Sequence, residues 1–156
     1  MILRKLLVLA TLAATFLPAM PVTPSAARDN KVEASLLSKG KGTQTFVGGG
    51  LTYGTVSKGG QVVIHDLSGD LSKTVPGLTP FRLKDGGWRY VISGRAATFK
   101  LSGTRYEIML RGASTLNGIG VYGKASFKGA GTYQLSGDSA VLWDGSVNLG
   151  KPTGRS

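Results

Sequence analysis

Through much of the chain, apolar and polar residues alternate with a period of two. Phe99 and Leu101 fall on one side and Thr98 and Lys100 on the other. Tyr106, Ile108 and Leu110 lie opposite Arg105, Glu107, Met109 and Arg111, and Val121, Ala125 and Phe127 lie opposite Tyr122, Lys124 and Ser126. Successive side chains of a strand point to opposite faces, so this pattern predicts half-buried strands. They are expected over 44–47, 51–57, 61–67, 79–84, 87–93, 96–102, 105–111, 118–128, 131–136 and 139–149, with 69–80 the longest irregular connection. A triplet of apolar, polar and glycine residues punctuates them, as in Ile92-Ser93-Gly94, Leu101-Ser102-Gly103, Leu110-Arg111-Gly112, Phe127-Lys128-Gly129 and Leu135-Ser136-Gly137. Their spacings are 9, 9, 17 and 8, near multiples of 8 to 9.

Glycine supplies the positive φ that tight hairpin turns need, so the triplets read as joints between strands. The prediction is an all-β domain, an antiparallel meander forming a sandwich or barrel. The repeat also admits a β-solenoid with glycine corners. The aspartates do not recur at a fixed repeat position, which excludes the calcium-binding nonapeptide form, and the long stretches 118–128 and 139–149 favour the meander.

The N-terminus reads differently. Arg4 and Lys5 precede an apolar and small-residue run from Leu6 to Leu17, and prolines follow at 18, 21 and 24. Ser25-Ala26-Ala27 offers small residues where a signal peptidase cuts, so 1–27 reads as a signal peptide cleaved before Arg28. The run is shorter than the roughly 20 residues a bilayer-spanning helix takes, and no transmembrane helix is expected in the mature chain. Residues 28–43 read as a mobile lead, 44–150 as one all-β domain and 151–156 as a disordered polar tail.

Composition sharpens this. With no cysteine, an exported domain rests on packing and hydrogen bonds alone. All 24 glycines lie beyond the signal, without a Gly-X-Y period and interleaved with β-branched and aromatic residues, which excludes a collagen-like chain. Losing Arg4 and Lys5 leaves 17 of the 19 basic residues against 8 acids, a net charge of +9. That excess suits anionic partners.

Chemistry-bearing motifs are few. His65 is followed by Asp66, but neighbours on a strand point apart, so the pair does not make a carboxylate-held base. Asp66, Ser68 and Asp70 resemble the start of a calcium loop, yet no distant glutamate completes it; a turn in which Ser68 and Asp70 bond to nearby backbone amides is the simpler reading. There is no Gly-x-Ser-x-Gly elbow, zinc spacing or phosphate-binding lysine loop. No catalytic residue, metal ligand or cofactor is assigned, and the reading leans away from an enzyme.

The strongest signal is charge. Residues 87–128 carry seven cations against Glu107 alone. Arg89, Lys100, Arg105, Arg111, Lys124 and Lys128 form a candidate face for an anionic ligand, if their strands are neighbours. Trp88, Tyr90, Phe99, Tyr106 and Phe127 read as a buried set, leaving Tyr122 as the main exposed aromatic, which argues against base stacking and nucleic acid.

The stretch 88–139, with Ile92-Ser93-Gly94-Arg95, Leu110-Arg111-Gly112, Gly118-Ile119-Gly120 and Gly131-Thr132-Tyr133-Gln134-Leu135-Ser136-Gly137, resembles a group of uncharacterised secreted glycine-rich β-proteins of actinobacteria. The resemblance implies export and a β fold and brings no catalytic residue. The expectation is an exported, non-enzymatic β-domain associating with anionic polymer, a wall polymer or acidic glycan, at the cell surface. Two alternatives stand beside it: a secreted hydrolase with an acid pair in the turns, and a structural module that assembles through its edges.

Overall fold

The computed structural model describes residues 34–152. The chain there is all-β: β1 (Ala34–Val56), β2 (Gln61–Asp66), β3 (Ser72–Thr74), β4 (Phe81–Arg82), β5 (Trp88–Val91), β6 (Ala97–Leu135), β7 (Val141–Leu142) and β8 (Gly145–Gly150). Every pairing is antiparallel and all eight strands belong to one sheet that is not closed into a barrel. Among the described residues no helix is long and apolar enough to cross a membrane.

Two strands of 23 and 39 residues make most of the sheet. β1 is hydrogen-bonded along both edges by β6: Thr43 pairs with Arg111 on one side and Lys128 on the other, and Thr55 with Thr98 and Thr115. The middle of β6 is in turn flanked on both sides by β1, since Leu116 pairs with both Ser38 and Gly54. A strand that returns beside its partner after 17 residues must bend twice, so the pairings resolve into two packed layers.

In the first layer the order is β3, 97–103, 51–56, 114–119, 34–40, 130–135, β7. In the second it is β4, β5, β2, 104–111, 43–48, 122–128, β8.

This explains the sequence rhythm. Leu110 and Phe127, 17 residues apart, both flank Gln44. The half-step of 8 to 9 is the run between corners. The glycines expected to close hairpins within 97–135 instead bend one continuous strand from layer to layer, and the parallel stacking of a solenoid is absent from the described sheet.

The predicted alternation is met in the core, where Phe99, Leu101, Tyr106, Ile108, Leu110, Val121, Ala125 and Phe127 are all buried. Polar ties cross between layers. Gln44 Nε2 donates to Ser114 Oγ at 2.8 Å, and the Tyr106 hydroxyl meets Thr52 Oγ1 at 2.8 Å and donates to the Gly50 carbonyl. Burial pushes the Tyr106 phenol up to about 12.

The expected mobile lead is overturned for residues 34–43, which form the first part of β1 and bury Leu36 and Ser38. β6 covers both of their edges, so their backbone groups are paired, and the inward serine had hidden the apolar alternation. The irregular stretch 69–80 contains β3. The signal segment, 28–33 and 153–156 lie outside the described residues.

Candidate anionic-ligand site

Two β-bulges in β6 shape the region where cations gather. Gly48 pairs with Tyr106 but Gly50 with Gly103, so β6 spends three residues where β1 spends two. On the other edge Gly49 pairs with Tyr122 and Leu51 with Ile119, the same excess. Each bulge adds one residue and switches which side chains face inward, from 97, 99 and 101 to 106, 108 and 110, and from 114 and 116 to 121, 125 and 127. Gly120, with φ of 60°, takes the left-handed conformation the second bulge requires. Thr104 and Arg105 emerge at the first, both exposed.

A neighbouring turn fixes that first bulge. Asp66 accepts hydrogen bonds from the amides of Ser68, Gly69 and Leu71. The Arg105 amide donates to Ser68 Oγ and the Thr104 amide to Asp70, which also accepts from the hydroxyls of Ser68 and Thr104. These donors, led by the Ser68 hydroxyl, hold the Asp70 carboxyl at about 2, below its ordinary 3.8. The Asp66-Ser68-Asp70 set thus serves the fold, but the nearby amides bond Asp66, while Ser68 and Asp70 reach across to Arg105 and Thr104. From the other bulge the Tyr122 hydroxyl donates to the Thr104 carbonyl, so Tyr122 is half-buried and not the exposed aromatic expected.

Between the bulges and β8 lies a groove of about 710 Å³, lined by Val47, Gly48, Thr104, Arg105, Tyr122, Lys124, Asn148, Lys151 and Pro152 among others, with no carboxylate in its wall among the described residues. β8 carries a bulge here too, since Gly123 pairs with Gly150 but Lys124 with Asn148.

The predicted cations divide. Arg111 and Lys128 flank Thr43 in one row across the second layer's outer face, two strands apart and therefore roughly 10 Å between backbones. Lys124 sits across Val47 from Glu107, Arg89 is further along the same face opposite Val63, and Arg105 stands at the bulge. Lys100 does not join them. It lies on the first layer's outer face between Tyr53 and Thr74, because the bulge after Gly103 sends the strand into the other layer. Among the described residues the one histidine–carboxylate contact joins His65 to Asp85, Nε2 to Oδ2 at 3.0 Å, and no lysine or arginine stands within ion-pair distance of a carboxylate.

His65 thus pairs not with Asp66 but with Asp85, twenty residues on. The Gly87 amide, then His65, hold the Asp85 carboxyl below the usual carboxylate range. Sequence reasoning missed two further groups. Lys73 Nζ lies 3.7 Å from the Trp88 ring centroid and Arg82 Cζ 4.4 Å, a pairing no sequence motif marks. Lys151, assigned to the tail, lines the groove.

Comparison with protein-family models, curated proteins and solved structures finds no match.

Proposed function

We propose that this chain is an exported, non-enzymatic binding domain that holds an anionic polymer of the cell surface or wall, such as a wall polymer or acidic glycan, on the second layer's outer face. One observation carries the reading. Arg89, Arg105, Arg111, Lys124 and Lys128 stand on or beside that face, and no carboxylate among the described residues forms an ion pair with any of them. Exposed cations without internal partners are available for charge-assisted hydrogen bonds to phosphate or carboxylate. Asp66, Asp70 and Asp85 are already engaged by amides and side chains of the fold, which weighs against a hydrolytic acid pair drawn from these turns. The N-terminal signal pattern supports export.

The test is retention of the purified protein on immobilised acidic glycan across a salt series. Retention should fall steeply with salt, since surface charge interactions are screened. The triple variant Arg89→Gln, Arg111→Gln, Lys128→Gln should elute at clearly lower salt, and Lys100→Gln, on the opposite face, should elute with the parent. No retention at low salt would sink the reading. Sequencing of protein recovered outside the cell should begin at Arg28.

A further inference from the structure

We infer that the groove at the paired bulges is a binding site for an anionic lipid, with the acyl chain along its floor and the phosphate or carboxylate head held by Arg105, Lys124 and Lys151. This goes beyond the polymer reading and does not depend on it. At about 710 Å³ the groove falls within the range of sites that enclose small ligands. Val47, Tyr122 and Pro152 line it together with bare glycine backbone, so much of its wall offers a ligand carbon and few hydrogen-bonding groups.

Among the described residues its charge is of one sign: three cations and no carboxylate line it. The Tyr122 hydroxyl is turned to the Thr104 carbonyl, leaving the ring as apolar surface. Arg105 is placed from behind, because its backbone amide and carbonyl are both bonded to Ser68 Oγ. An open apolar trough whose described lining holds cations and no anions fits a ligand that is itself apolar along its length and negative at one end. A neutral sugar would leave the cations unused, and a bare inorganic anion would leave the trough unfilled.

Calorimetric titration of the purified protein with octyl, decyl and dodecyl phosphate, each below its micelle concentration, tests this. Affinity should rise about three- to fourfold per added methylene, the fold-change that burial of one such group brings. Dodecyl maltoside and inorganic phosphate should each bind at least tenfold more weakly than dodecyl phosphate. Lys124→Glu and, separately, Arg105→Gln should weaken dodecyl phosphate about tenfold or more, whereas Lys100→Glu, the same charge change on the first layer's outer face and outside this groove, should stay within about twofold.

Equal affinity for the neutral head group, no dependence on chain length, or equal losses in Lys124→Glu and Lys100→Glu would each overturn the assignment. So would binding that appears only after the chain is shortened beyond Pro152, which would make the groove the seat of its own last residues. Failure here with glycan retention intact removes the lipid site and leaves the polymer face standing; the reverse result does the opposite.

Discussion

A tryptophan stands at each open edge of the sandwich, and the two are completed in different ways. Trp143, between β7 and β8, is buried, stacks on Phe127 at 5.5 Å between centroids, and donates through Nε1 to Ser38 Oγ and the Thr132 carbonyl, both at 3.1 Å. Its ring lies against bare backbone, for a Cβ at Gly40 or Gly131 would stand 2.6 Å from it. Trp88, near β3 and β4 at the opposite edge, is half-buried and covered by Lys73 and Arg82. One edge is closed by packing and satisfied hydrogen bonds, the other by cations over an aromatic face. The first kind of closure is insensitive to salt and intolerant of change in shape. The second is weaker and remains open to solvent ions.

The largest expected effect follows from Trp143. Replacing it by Ala should cost about 3–5 kcal/mol in denaturant unfolding, the range for emptying a large buried aromatic site. Trp143→Phe should cost about 1–2 kcal/mol, since the ring's stacking survives but the indole donor to Ser38 and Thr132 is lost. Trp88→Ala should cost less than Trp143→Ala, and the part due to Lys73 and Arg82, about 0.5–1 kcal/mol each at most, should shrink in 1 M salt. A salt-independent cost would mean that Trp88 acts by packing alone. Iodide quenching separates the two indoles: Trp143→Phe leaves a readily quenched emission, Trp88→Phe a protected one.

The smallest effect belongs to the turn that precedes β3. Asp70 has its folded pKa below its unfolded value, so its contribution is complete above about pH 4 and is lost as pH falls toward 2. Asp85 shifts the same way. Asp70→Asn should therefore flatten the acid limb of a stability–pH profile while leaving neutral stability less affected than Trp143→Ala does. An unchanged acid limb would contradict the hydrogen bonds assigned to Asp70.

Much of the fold was legible because burial alternates with strand period, and the alternation at 97–101, 106–110 and 121–127 named the core correctly. What could not be read was continuity. A glycine that bends one strand and a glycine that ends it look alike in sequence, so β6 was divided into several strands. Residues 34–43 were missed because Ser38 points inward to meet Trp143, 105 residues away, a partner invisible locally. The cationic face was legible as charge but not as geometry: the first bulge assigned Lys100 to the other layer. Trp88 was expected among the buried aromatics, since its strand pattern matches that of Tyr90; only its place near the sheet's edge, beyond which β3 and β4 are short, leaves it half open.

The pairing of β1 has a kinetic consequence. Among the described residues its ladder partner is β6 alone, at separations from 41 residues (Val56 to Ala97) to 99 (Leu36 to Leu135). Strands paired over such distances form slowly, because the chain must close long loops before any contact repays the closure. As β1 leaves the ribosome it has nothing to pair with, and its second edge stays bare until residues 114–135 are made. A sandwich of this connectivity therefore assembles only once most of β6 has been made.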